Sequence, residues 1–593
     1  MDKNSGSPAE ESITATTMTI PPRLIEPTLE ASMASSAPLP DPTVPDWAIP
    51  SWQDLLSMVA ETPPGLDGQH SLPFLDRFTS NTGLVQSFDC GTEEQRRQVW
   101  LKLQREGPYE PLQAMSSLLP LPELPFDVLA APPVENANST RGDGLSLGWL
   151  NDPLSLKTHQ ILLLIRDIVR VKPRNSAVTL DWSPGLQQSC LQFFSPSNIR
   201  KFLGLYWAIW HPNVNFVHRP SFDIESAKPA VLATMAVIGA CVSPAKTDND
   251  DCRLWFNCVE EMVFTDDDFN SDMLNLSSVP SSMRRDRVQA LQAAYMVCLY
   301  QNWEGSDASK RRIRRYRFAT LVSTARDIDL TTVRHTKYSE QARYEFDWRD
   351  FAMREELIRV LMWIFLLDTA FVIFNNLPPR MVIREMRMHL AVPDNCFHSP
   401  STDQCLEQLR LSLPSGSQYW KMSFGNIFKS LCSESLAMHI RNDLASLGPL
   451  NLFALTSAIH SQVFQYRNSW GTVQLLLPIQ NALRNWRDVW QLSTTFPKDA
   501  LHTVDSDSLP SERMWERYGL CKHCPEYWLL ANLMVTHLTN LCAPPIDNQT
   551  EVGQNELEGS DNGPVDAILS KYDQTSMRQV NDLILSFQNC QIR

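Results

Sequence analysis

The densest metal-like spacing in the chain is Cys521-x2-Cys524, followed by His537 and Cys542. Three thiols and an imidazole at C-x2-C-x12-H-x4-C spacing would suit tetrahedral zinc in a small finger. The residues between them point elsewhere. Pro525 to Leu541 reads PEYWLLANLMVTHLTNL, nearly all apolar, with no solvent face and no basic residue to meet a phosphate. A finger depends on its metal because its own core is tiny, whereas this segment reads as a core helix of a large domain. No metal is assigned to it. Gly144-Leu-Ser146-Leu-Gly148 matches the G-x-S-x-G nucleophile elbow, which requires a strand before the serine and a helix after it. A polar loop precedes it and Pro153 follows closely, so no hydrolase is read there.

Asp266-Asp267-Asp268-Phe269-Asn270 could hold Mg²⁺ against a diphosphate in an all-α fold, as in terpene cyclases. Such chemistry needs a second motif resembling N-D-x-x-S-x-x-x-E. The nearest match is Asn442-Asp443 with Ser446, but the closing position is Leu450, and Gly448-Pro449 interrupts the helix. A Mg²⁺-dependent terpenoid-type cyclase is therefore a remote alternative. The run Lys310, Arg311, Arg312, Arg314, Arg315 and Arg317 reads either as a nuclear import signal or as the cationic face of a helix continuing to Val322. P-loop, G-x-G-x-x-G and H-E-x-x-H motifs are absent from the sequence. No catalytic residue and no cofactor are assigned.

The elements that must position these groups are helical. His159 to Arg170 is apolar with a basic end, and Asn198 to Trp210 carries Ile199, Phe202, Leu203, Tyr206 and Ile209 at helical spacing. Pro229 to Val242 is a small-residue apolar helix, and Arg287 to Trp303 sets Val288, Leu291, Tyr295 and Cys298 on one face. Phe351 to Asn375 reads as a long helix ended by Pro378-Pro379, with others near 451–467, 475–492, 524–541 and 564–589. Leu357 to Phe374 is apolar enough to suggest a membrane span, yet it contains Arg359 and Asp368. Each would cost about 2.5–3.5 kcal/mol at a bilayer centre. A buried core helix fits better, and no membrane partner is expected. Strand-like alternation is scarce, so the fold class is all-α.

Composition agrees with that reading. Of 593 residues 43% are hydrophobic, enough for a sizeable core, and Gly 21 against Pro 41 disfavours a glycine-rich β architecture. The net charge of −15 has the wrong sign for a free-standing nucleic-acid binder. Cysteines such as Cys241, Cys298 and Cys432 sit among apolar neighbours and no signal core follows Met1, as expected of an intracellular protein with reduced thiols.

The chain divides accordingly. Residues 1–71, rich in Pro, Ser, Thr and acidic groups, are expected to be disordered. Within them 46–61, DWAIPSWQDLLSMVAE, intersperses Trp47, Trp52, Leu55, Leu56 and Met58 with Asp46, Asp54 and Glu61. The acids keep such a segment solvated while its aromatic and leucine side chains dock in a partner's groove as a short helix. That is the physics of an acidic activation segment; packing on its own domain is the other reading. Residues 72–154 read as an irregular linker region and 155–593 as one all-helical domain.

Several stretches, in order, resemble the fungal-specific transcription factor domain. Tyr206 to Cys241, YWAIWHPNVNFVHRPSFDIESAKPAVLATMAVIGAC, is similar to that family's opening motif: a helix, His-Pro, His-Arg-Pro-Ser-Phe, then a helix ending near Gly-Ala. Gln289 to Leu330 resembles the next part. Trp348 to Pro393 resembles the third, with Glu355-Glu356, Trp363 to Asp368, Asn375, Pro378-Pro379 and Glu385. Ala482 to Trp490 and Cys524 to Leu530 are similar to the C-terminal helices, and Phe74 to Gly91 to the stretch behind a pair of two-cysteine, two-histidine zinc fingers in some members.

The resemblance implies a nuclear transcriptional regulator with a pathway-specific role, of the kind found near secondary-metabolite genes. Its implied partners are the transcription machinery or another DNA-binding factor. It further implies structural roles for His211, Pro212 and Asp368 and an apolar core able to house a small effector. No cysteine precedes residue 72, so neither that finger pair nor a six-cysteine zinc cluster lies ahead of it in this sequence. DNA contact is expected to be indirect, or supplied by upstream coding sequence missing here. The alternative is a finger-less adaptor that modulates another factor.

Overall fold

The computed structural model describes residues 72–105, 152–174, 176–271, 281–327, 333–468, 476–493 and 510–541. All of them belong to one unit spanning 50–593. The segment 46–61, the Gly144 to Gly148 motif and the helix expected near 564–589 lie outside the described residues. Every regular element among the described residues is a helix, and the fold is all-α.

The long helix Trp348–Asn375 begins where Asp347 accepts hydrogen bonds from the backbone N–H groups of Arg349 and Asp350. It stops at Asn376, whose φ of 51° is the left-handed conformation that commonly ends helices, ahead of Pro378-Pro379. Its most apolar window is 89% buried inside the fold, packed along Pro449–Arg467 and Ser281–Trp303. The segment that resembled a membrane span is thus a core helix.

Two helices meet unusually closely beside it. Pro196–Leu205 packs on Pro229–Cys241 with Gly239 at the crossing, where a Cβ would lie 2.0 Å from the carbonyl oxygen of Phe202. The helix expected over 198–210 is in fact Pro196–Leu205 followed by a wider π-helical turn, Tyr206–Trp210, and a short 3-10 turn, His211–Asn213. Pro212 explains the ending: it has no N–H to offer the carbonyl of Ala208 one turn earlier. The Arg517 guanidinium donates to that carbonyl instead.

Residues 73–105 differ from the irregular stretch expected there. They form the helices Pro73–Ser80, Leu84–Ser87 and Glu93–Arg105. The last is opened by a capping box: Thr92 Oγ1 accepts from Gln95 N and Gln95 Oε1 accepts from Thr92 N. The other two are capped from afar. Glu526 accepts from the N–H groups of Phe74 and Leu75 at 2.9 Å, and Glu304 from that of Leu84 at 2.6 Å. Phe78 then packs on Phe88, Trp303 and Phe374.

Candidate functional site

Cys521 lies in the 3-10 turn Leu520–His523, and Cys524 opens the helix Cys524–Leu541. Both are buried, and burial pushes both thiols up, opposing the thiolate that a metal requires. Cys542 and the side chain of His537 lie outside the described residues. His523, between the two cysteines, is engaged elsewhere: its Nε2 lies 2.6 Å from Asp89 Oδ2 and its ring stacks on Phe74. Among the described residues no group of His, Cys, Asp and Glu is arranged to hold a metal ion.

The acidic cluster follows the helix Phe256–Phe264. Lys228 Nζ lies 2.8 Å from Asp266 and also bonds Asp268. Asp266 further accepts from the N–H groups of Asp268 and Phe269, while Asn270 donates to the carbonyls of Phe264 and Asp266. Asp443, from the other half of the diphosphate pattern, accepts from Gln418 N at 2.9 Å. These groups close turns and satisfy a lysine.

The basic run splits between surface and core. It spans the helix Asp307–Arg312 and a π-helical turn, Ile313–Arg317. Arg312 Nη2 lies 2.7 Å from Glu260 Oε2, Arg317 Nε 2.9 Å from Glu260 Oε1, and Arg317 Nη2 2.8 Å from Glu261 Oε2. The i→i+5 register of a π turn brings residues five apart toward one face, which lets both arginines reach the fully buried Glu260. Arg314 donates to Asn302, and Lys310 stays within 4.0 Å of Asp307. Arg311 and Arg315 are exposed.

Within the long helix a buried ionic cluster stands out. Arg359 Nε donates to Glu355 Oε1 at 2.7 Å, and its Nη2 lies 2.8 Å from Asp394 and 3.0 Å from the carbonyl of Val392. Glu355 also accepts from Val392 N, and its second oxygen lies 2.8 Å from His335 Nε2. The neighbouring Glu356 accepts from His218 N at 2.8 Å, tying the His-Arg-Pro-Ser loop to the same helix. Asp368 accepts from the N–H groups of Arg380 and Met381, and burial pushes its carboxyl up to about 6 against those two bonds. His211 is wholly buried, which pulls its imidazole well below the usual value and keeps it neutral.

These motif residues fall within 203–488, the span that matches the model of the fungal specific transcription factor domain. Beyond it, the chain is 58% identical over 556 residues to transcription factor verF of Penicillium polonicum, covering 93% of this chain and 74% of that protein. The chain belongs to the fungal-specific transcription factor family. No solved structure matches it. For this transcriptional regulator the motif residues are framework: Glu355, Glu356 and Asp368 each hold a loop onto the long helix.

Between Phe78, Trp303, Trp363 and Tyr527 the core leaves about 30 Å³, enough for water and far short of an organic molecule. Larger space lies at the periphery, where a cleft of about 650 Å³ runs beside Arg96 and Arg517. Sequence reasoning missed it because its walls are more than 400 residues apart in the chain. The capping box at Thr92 to Gln95 and the family-like stretch Phe74 to Gly91 are the local signals of order there.

Proposed function

We infer that the chain is a pathway-specific regulator of a set of biosynthetic genes, acting in the nucleus through the transcription machinery or a DNA-binding partner. The observation that carries this reading is the relation to transcription factor verF, which at 93% of this chain reaches well beyond the matched span 203–488. The helical body supplies the regulatory domain and 46–61 the activating segment, whose acids keep its tryptophans and leucines in solvent until a partner offers a groove. A non-catalytic role is supported by the carboxylates of the acidic cluster, which are committed to Lys228 and to turn N–H groups. For nuclear import the basic run presents Arg311 and Arg315 at the surface, while Arg312 and Arg317 serve Glu260.

The test is to fuse the full chain to a heterologous DNA-binding domain upstream of a reporter. Reporter transcription is expected to rise several-fold over the DNA-binding domain alone and to fall back when 46–61 is deleted or when Trp52→Ala and Leu55→Ala are combined. A deletion that leaves transcription unchanged would remove the activating role of that segment.

A further inference from the structure

The peripheral cleft has a charge imbalance that the fold does not resolve. Its walls come from residues 77–99 and the turn 517–522, with Ile209 and Pro212 the lining residues inside the matched span 203–488. Four cationic side chains line it: Arg77, Arg96, Arg517 and Lys522. The acids beside them are Asp89 and Glu93, and both are occupied. Asp89 receives Arg77 at 2.8 Å and Lys522 at 2.9 Å, with His523 at 2.6 Å. Glu93 pairs with Arg97 at 2.8 Å on the outer face.

Among the described residues neither Arg96 nor Arg517 forms an ion pair with a carboxylate. Arg96 is 9% exposed; its Nη1 donates to the carbonyl of Gly91, and its Nε has no partner. Arg517 donates only to the backbone carbonyls of Ala208 and Met514. Burial pulls both guanidinium groups down from their ordinary values, outweighing the nearby charges of Glu93 on Arg96 and Asp89 on Arg517. A guanidinium does not escape by losing its proton, so the cheaper remedy is a counter-anion. The same lining also holds apolar side chains, Phe88, Val99 and Ile209, among polar ones such as Asn81, Thr92 and Gln95. At about 650 Å³ it has the size of a small-molecule site.

We propose that this cleft binds a small organic anion, its carboxylate on Arg96 and Arg517 and its apolar body against Phe88, Val99 and Ile209. A bidentate guanidinium suits a planar carboxylate, and two forks in one cleft fix its orientation. The site does not depend on which genes the chain governs. Occupancy would brace the Pro73–Ser80 and Glu93–Arg105 segment against the π-helical turn at Tyr206–Trp210, because Arg517 also holds the Ala208 carbonyl.

The test uses the full chain, with naphthoate and its neutral counterpart naphthamide as probes at constant ionic strength. Naphthoate is expected to raise the midpoint of thermal unfolding saturably, by about 2–4 °C, while naphthamide leaves it in place. Arg96→Met should abolish the response without lowering the midpoint of the free protein, since it removes a buried charge that forms no ion pair among the described residues. Arg517→Met should abolish it too; should that variant fail to fold, Arg96→Met and the naphthoate–naphthamide pair on the natural chain decide. No saturable shift with naphthoate at millimolar concentration, an equal shift with naphthamide, or a full response in Arg96→Met would each overturn the proposal.

Discussion

Replacing Glu355 by alanine is expected to destabilise the chain by about 3–5 kcal/mol, a large part of the total stability of a typical domain. Glu355 and Arg359 are both fully buried on successive turns of the Trp348–Asn375 helix. The carboxylate receives Arg359, the N–H of Val392 and the His335 ring. Its loss leaves the guanidinium with Asp394 and the carbonyls of Val392 and Asn215 in surroundings that cannot solvate the missing half of its charge. The partner change is the informative control. A Glu355→Leu, Arg359→Met double variant removes both charges together and should cost clearly less than the sum of the single changes. Chemical denaturation of the natural chain, Glu355→Ala, the two single changes and the double variant measures this directly. A loss below about 1 kcal/mol for Glu355→Ala would mean that water reaches the cluster, as at a surface pair.

Gly239→Ala is expected to be nearly as damaging, although alanine is the better helix former by about 1 kcal/mol. The new methyl would sit 2.0 Å from the Phe202 carbonyl oxygen, and that atom is backbone and cannot swing aside. Either Pro196–Leu205 moves away from Pro229–Cys241 or the contact stays strained; overpacking of this kind costs about 1–3 kcal/mol, occasionally more. Gly416→Ala makes a fair comparison, because a Cβ there meets nothing within 4 Å. It should change stability by no more than about 0.5 kcal/mol. Thermal unfolding of the two variants should separate them by several degrees; equal midpoints would show that the two helices are not held at this distance.

The helices legible in the sequence were those whose own apolar periodicity is long. Trp348–Asn375 and Pro449–Arg467 fall where hydrophobic spacing puts them, the first ended by Pro378-Pro379, and Ser281–Trp303 begins a few residues before the expected Arg287. Shorter helices such as Thr402–Ser412 and Phe424–Leu431 escaped, although each is announced by a capping serine, Ser401 and Ser423. What could not be read was anything fixed by a distant partner. Pro73–Ser80 is held by Glu526, 452 residues away from Phe74, and Leu84 by Glu304 across 220 residues. The basic run looked like a solvated face because nothing local shows that Glu260, 52 residues before Arg312, is buried and waiting for it. Of the chemistry-bearing patterns, the acidic cluster had the right residue types, but Lys228 came from another element to occupy it. The cleft beside Arg96 and Arg517 carries no local binding motif; it exists only once the two ends of the described chain meet.

The central claim is that this member of the fungal-specific transcription factor family works by changing transcription. The most direct measurement is transcript profiling of a strain lacking the gene against its parent, under conditions in which the protein is made. A discrete set of biosynthetic transcripts is expected to change together and to recover when the natural sequence is restored. A transcript profile indistinguishable from that of the parent, with a metabolite nonetheless missing, would contradict it and return attention to the carboxylates at Asp266 to Asp268.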